Sequence, residues 1–185
     1  MYAEEKLKIA MLSLLETEPF KNITVTKVCL HSNVSRPTFY HHYTSLANLA
    51  FQSVLYKLTR EFPSIETWED LLAGFKQILL FFQGEHALCS HLESPDVRSE
   101  SLVYLEALLK KAIKRQETLL NYHLSPINEQ FVARSYAEIF IALIREYFAS
   151  DMTLDPEIVD TQCQAMLGNA VGTSIRGFMR LDQQS

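Results

Sequence analysis

An all-α fold is predicted, on three observations. Only 5 Gly and 6 Pro occur among 185 residues, too little turn chemistry for a sandwich or barrel of many short strands. Apolar residues recur at helical spacing. Ser, Thr and Asp stand ahead of those repeats, followed by Pro or an acid, as helix N-caps do. With 48% hydrophobic and 21% charged residues, the chain suits one globular domain or two small ones sharing a core, and general disorder is excluded.

The elements follow in order. Leu7, Ala10, Met11, Leu14 and Leu15 place a first helix from about Ala3 to Glu16, ending before Pro19. Thr24 caps a short second helix through Leu30 or Ser32. Ser35 caps a third, with Pro37 in the first turn, where its missing N–H costs nothing. Only Asn33 and Val34 lie between them. A fourth helix runs from about Ser45 to Phe62, closed by Pro63, and Thr67-Trp68-Glu69-Asp70 reads as a capping box opening a fifth, to about Gln83. After Gly84 the pattern weakens. Ser94-Pro95-Asp96 restarts the chain into a long helix marked by Leu102, Leu105, Leu109, Ala112 and Ile113, with Lys110, Lys111, Lys114 and Arg115 on its solvated side. Ser125-Pro126 and Asp155-Pro156 open two more long helices, to about Ser150 and Leu181.

Charge is unevenly placed. The formal net charge is −5, made of −2 over Met1 to Glu18, +5 over Pro19 to Arg60 and −8 from Glu61 onward. The middle window holds Lys21, Lys27, Arg36, Lys57 and Arg60 and no acid at all. It reads as an anion-facing surface rather than a neutral connector.

Several function classes fall away. The longest apolar run, Ile139 to Ile144, is far short of the roughly 20 residues a bilayer crossing needs, so no membrane partner is expected. The amphipathic start carries Glu4, Glu5, Lys6 and Lys8 and lacks a signal-peptide core, so a cytoplasmic location is expected. Cys29, Cys89 and Cys163 form no CxxC and read as reduced, mostly buried thiols. His86, Cys89 and His91 fit no common metal-ligand spacing, and no oxyanion-hole loop accompanies Cys89. Neither a metal, a cofactor nor an enzymatic activity is expected.

The two short helices carry the chemistry. A pair of short helices joined by a tight turn, the second with a polar outer face, is what a helix-turn-helix needs to enter the DNA major groove. Counting Val25 as the first position, Cys29 falls where a small residue allows close packing. Asn33 falls in the turn, at a positive φ that Asn tolerates well. Val28, Val34 and Phe39 supply the apolar contacts, leaving Arg36, Pro37, Thr38, Tyr40, His41 and His42 toward solvent or DNA.

The segment from Ile23 to Tyr43, and above all the run Thr38-Phe39-Tyr40-His41-His42-Tyr43, closely resembles the DNA-binding domain of TetR-family transcriptional regulators. The resemblance is sharp over residues 3 to 50 and architectural beyond. It implies a helix-turn-helix DNA-binding domain at residues 1–46 and a helical regulatory and dimerisation domain at residues 47–185. Carried over residue by residue, it implies that Arg36, Pro37 and Thr38 face base edges, and that Thr24, Thr26, Tyr40 and His42 lie near phosphates. Lys27 and His41 complete the candidate DNA-binding set. Arg36 can fork onto guanine, the carbons of Pro37 and Thr38 can meet a thymine methyl, and hydroxyls donate to phosphate without adding charge. This chain departs from the family pattern at Asn33, where the family has Gly, and at Leu46, where it has Lys. Ala47 and Asn48 replace the acids that follow. The change at Leu46 removes one phosphate-neutralising charge.

In the remainder, aromatic residues at helical spacing are core by default, and a subset lines a ligand cavity. Phe82, His86, His91, Tyr104, Tyr136 and Phe140 are the candidate effector contacts. Gly168, Ala170, Gly172, Ser174 and Gly177 crowd the last helix with small residues. Close approach of another helix offsets their low propensity, and the resemblance implies that the last two long helices, from about Pro126 to Ser150 and Pro156 to Leu181, form the dimer interface, with Gly168, Gly172 and Ile175 as candidate residues.

The resulting expectation is a homodimeric repressor that binds an inverted-repeat operator in double-stranded DNA. An unknown small-molecule effector releases it by changing the spacing of its two reading heads. The alternative is a TetR-like co-regulator that acts through a protein partner with weak or no DNA binding.

Overall fold

The computed structural model describes residues 2–62 and 66–183, all helices and connections, with no strand among the described residues. Helix α1 spans Ala3–Thr17, and a 3-10 turn, Phe20–Asn22, leads into α2 (Val25–Ser32) and α3 (Arg36–His42). Then come α4 (Leu46–Glu61), α5 (Trp68–Ala73), α6 (Phe75–Gly84), α7 (His86–His91), α8 (Pro95–Leu120), α9 (Pro126–Ala149), α10 (Pro156–Leu167) and α11 (Ala170–Asp182).

The expected caps are made. Thr24, Ser35, Thr67, Ser125 and Asp155 each accept a backbone N–H of the helix they open, and Asp70 returns the bond to Thr67 to complete a capping box. Pro63, expected to close α4, lies outside the described residues.

Three elements differ from the sequence expectation, each for a local reason. The single helix expected from Thr67 to Gln83 is two, because Gly74 ends α5 with its N–H bonded to the Asp70 carbonyl. The helix expected from Pro156 to Leu181 is interrupted at Gly168 and Asn169. A Cβ at Gly168 would lie 2.7 Å from the Gln164 carbonyl oxygen, so this step accepts only glycine without rearrangement. The weak segment after Gly84 forms α7, which buries only Leu88 and Cys89 and therefore has no periodicity to read.

The chain packs as two compact units, and α6 and α8 are each divided between them. The described part of the first comprises residues 2–62 and 81–101. There α1 packs on α2, α3, α4 and α7, with Leu7, Met11, Leu15, Val28, Phe39, Leu49 and Leu88 essentially inaccessible. The second comprises residues 66–80 and 102–183. Phe140 meets Trp68 and Phe75 at ring-centroid distances of 5.5 and 4.9 Å, and Leu109, Ile113, Tyr147, Cys163 and Ile175 complete the core. Full burial of such a side chain is worth about 1.5–3 kcal/mol, so these stripes rather than helix propensity hold the short helices. The expected functional division after residue 46 is a different partition from this packing one, since α4 and α7 both lie against α1.

All three cysteines are buried and free. Burial pushes the thiols of Cys89 and Cys163 up to about 12, which keeps them protonated. No described helix is long and apolar enough to cross a membrane.

Candidate nucleic-acid interface

Helices α2 and α3 are joined by a turn whose geometry depends on Asn33. Its φ of 52° and ψ of 45° are left-handed, and Val34 N–H closes the turn on the Cys29 carbonyl at 3.0 Å. Val28 and Phe39 are fully buried and Val34 half-buried, which seats α3 on α2 and α1. The outer face is thereby left to solvent. Thr24, Thr26, Lys27, Arg36, Pro37, Tyr40, His41 and His42 are exposed, and Thr38 is half-buried.

Hydrogen bonds order this face. Ser35 Oγ accepts from Thr38 N–H at 3.2 Å and shares a hydrogen bond with Thr38 Oγ1 at 2.7 Å. Thr24 Oγ1 accepts from Lys27 N–H at 3.2 Å, which leaves its own proton available to a phosphate. Arg36 Nη1 donates to Thr26 Oγ1 at 3.1 Å, tying the first residue of α3 to α2. Tyr40 stands edge-on to Phe39, with ring centroids 5.1 Å apart, and the His41 and His42 rings are also 5.1 Å apart.

The acid-free window is less bare in space than in sequence. Lys27 Nζ donates to Glu18 at 2.7 Å, and Lys57 pairs with Glu85 at 2.6 Å. Arg60 donates to the Tyr56 hydroxyl at 3.2 Å. Lys21 sits on the exposed 3-10 turn, and Arg36 carries its charge on the α3 face. At the start of α4, where Leu46 stands, the Glu100 carboxylate accepts from Asn48 Nδ2 at 2.9 Å and from the Ser45 hydroxyl at 3.4 Å. Sequence reasoning missed all three acids, and Glu85 is 28 residues from Lys57. Glu18 stands just outside the window, nine residues from its partner, and Glu100 is 52 residues from Asn48, beyond any local signal.

The other candidates are placed as follows. In the first unit Phe82 is buried and His86 exposed, while His91 Nδ1 is 2.8 Å from the Leu15 carbonyl oxygen, a link between α7 and α1. In the second unit Tyr104 is half-buried. The Tyr136 hydroxyl donates to the Ala170 carbonyl and lies 2.5 Å from Ser174 Oγ, and Phe140 belongs to the aromatic core. Gly168 is exposed and Gly172 half-buried. Ile175, expected at an interface, is instead fully buried in its own unit, because it continues the inward stripe of Ala170 and Val171. Among the described residues no group of three His, Cys, Asp or Glu is placed to hold a metal.

The first helices of this all-α chain form a helix-turn-helix with an exposed polar outer face, the architecture of the class of helical transcriptional regulators. Residues 66–169, more than half of the chain, match the family model for the C-terminal region of TetR-type transcriptional regulators, described as "Transcriptional regulator C-terminal region". The chain is a member of the TetR family, a transcriptional regulator and not an enzyme. A solved structure described as the dihydroxyacetone kinase operon activator DhaS has the same fold, with a TM-score of 0.55 at 19% identity, over 95% of this chain and 97% of that one. Among curated proteins no sequence matches this chain.

Proposed function

We propose that this regulator binds double-stranded DNA as a homodimer through α3, at an inverted repeat, and represses transcription until a small-molecule effector releases it. The observation that carries the reading is the outer face of α3, where Arg36, Pro37, Tyr40, His41 and His42 are exposed on a helix seated by buried Phe39. Arg36 and the carbons of Pro37 and Thr38 read base edges. Thr24, Thr26, Tyr40 and His42 position the phosphates, with Lys27 and His41 beside them.

The purified chain, incubated with a randomised duplex library, should enrich an inverted repeat, and Arg36→Ala should cost about 1–3 kcal/mol and relax preference at one position of each half-site. Failure of both the enrichment and the Arg36→Ala effect would reject the reading. The sign of regulation is then tested by transcription from a promoter carrying the selected site, where repression is expected and activation would overturn that part. Effector and operator should weaken each other's binding by the same factor, roughly 5- to 150-fold for ordinary coupling energies.

A second reading, a co-regulator that acts through a protein partner, is favoured by two observations. Glu18 neutralises Lys27, and Glu100 occupies the α4 start, where the family carries a lysine. No enrichment from the library, together with retention of a second regulator on the immobilised protein, would support it.

A further inference from the structure

The face of α3 raises a question that its exposure sharpens. A solvated arginine is a flexible reader, and sequence discrimination requires its guanidinium to be held at one angle when it reaches the base. Arg36 is the first residue of α3, so little of its own helix precedes it. It is instead held from the side by α2, where Nη1 donates to Thr26 Oγ1 at 3.1 Å across ten residues of sequence. Both residues line one shallow open depression between α2 and α3, with Cys29, Leu30, Asn33, Val34 and Ser35. Asn33 takes a left-handed backbone in the turn that joins the two helices, and the exposed Thr26 and Arg36 side chains meet across that turn.

The donor and acceptor inventory allows a relay. A threonine hydroxyl has two acceptor lone pairs and one proton, and a guanidinium has five N–H donors. With Thr26 Oγ1 accepting from Nη1, its proton is left to donate to a phosphate oxygen, and four guanidinium N–H groups remain, enough for a bidentate fork on guanine.

We propose that Thr26 is a positioning residue for Arg36, holding the base-reading guanidinium so that a phosphate contact and a base contact are made through one hydroxyl. The inference rests on the proposed reading of Arg36 and names a specificity device within it. It differs from the role the family resemblance implies for Thr26, a phosphate contact that is indifferent to sequence.

The test uses the full-length protein and a randomised duplex library read by sequencing, with wild type, Thr26→Val, Thr26→Ser, Arg36→Ala and the double variant Thr26→Val/Arg36→Ala. Valine keeps the shape and removes the hydroxyl, serine restores it, and unchanged thermal melts show that each variant folds. Thr26→Val is expected to lower the preference for the favoured base at the Arg36 position by roughly 2- to 150-fold, the span of coupling between contacting residues. Thr26→Ser should restore most of it, and Thr26→Val should have no further effect on preference in the Arg36→Ala background. If Arg36→Ala alters the preference while Thr26→Val weakens all sequences alike, Thr26 is a phosphate contact only and the relay is overturned. If Arg36→Ala leaves the preference unchanged, the reading of Arg36 falls, and the relay with it.

Discussion

Glu100 accepts a hydrogen bond from the Asn48 side-chain amide at 2.9 Å and another from the Ser45 hydroxyl at 3.4 Å, which places an internal carboxylate at the first turn of α4. Ser45 also caps that helix by accepting from Asn48 N–H at 2.9 Å, so the three residues form one cluster. The helix N-terminus carries partial positive charge, which a carboxylate complements by about 0.3–1 kcal/mol. On the proposed function the same turn approaches DNA phosphates, and there the carboxylate repels them. Glu100→Gln is therefore expected to lower stability by that small amount while tightening DNA binding roughly 3- to 10-fold at low salt, with the gain fading as screening shortens to a Debye length of about 8 Å at physiological salt. Fluorescence anisotropy on the selected site at two salt concentrations checks it. An unchanged low-salt affinity would place the start of α4 away from the phosphates.

Leu46 offers the converse test. It is half-buried at the first position of α4, where the family has a lysine. Leu46→Lys should add one phosphate contact and steepen the log–log dependence of affinity on salt by about 0.9. An unchanged slope would show that a charge at this position does not reach the DNA backbone.

Tyr43 ends α3 with its ring buried and its hydroxyl without a hydrogen-bond partner among the described residues. Burial, and secondarily the charge of Glu4, push the phenol up, so it stays protonated and uncharged. A buried hydroxyl without a partner costs about 1–3 kcal/mol, and removing it leaves the packing of the ring intact. Tyr43→Phe should raise stability by about 1 kcal/mol in urea unfolding and leave DNA binding as it was. A loss of stability would show that the hydroxyl is satisfied in solution.

Glu117 is the buried acid of the second unit, accepting from Leu124 N–H at 2.7 Å in the turn between α8 and α9, where Asn121 takes a left-handed φ of 49°. Burial alone would raise its carboxyl. The Leu124 N–H, Lys114 and His123 outweigh burial and hold it below its ordinary value of 4.5. A depressed folded value contributes stability that is fully present above the unfolded value and is lost as pH falls through the folded one. Glu117→Gln should cost about 1.5–3 kcal/mol at pH 7, the worth of hydrogen bonds to a charged group. The gap to wild type should close as pH falls below about 4, as the linkage sign requires. Urea midpoints across that range measure it, and a gap independent of pH would assign the effect to packing.

What was legible in the sequence was local. Thr24, Ser35, Thr67, Ser125 and Asp155 each act on a backbone N–H two or three residues ahead, so their helices could be placed from short windows. The left-handed turn at Asn33 was legible for the same reason. Glu18 and Glu100 were not, because their effect on the candidate interface exists only once α1, α2, α4 and α8 are folded. The reading of Pro156 to Leu181 as one helix missed the break at Gly168 and Asn169. Ile175, named there as a candidate interface residue, shares an inward face with Ala170 and Val171.

Of the two helical stretches that the family resemblance implies for the dimer interface, α9 carries an exposed apolar pair. Ile127 and Phe131 are one turn apart on it, 81% and 64% exposed, and large apolar side chains left that open mark an interaction face when they cluster. On the proposed homodimer they meet the same helix of a second copy, and in a two-fold interface each substitution counts twice. At about 1.5–3 kcal/mol for each buried phenylalanine, Phe131→Lys should raise the dimer dissociation constant by at least two orders of magnitude. Sedimentation at micromolar concentration should then show monomers with unchanged helicity. Affinity for the inverted repeat should fall, and that for an isolated half-site should not. Gly172→Leu probes α11 in the same assay, since a Cβ there meets only the ends of the Arg176 and Gln116 side chains, at 3.4 and 3.5 Å, which can swing away. A Phe131→Lys dimer alongside a Gly172→Leu monomer would move the interface from α9 to α11, and a monomeric wild type would remove the homodimer altogether.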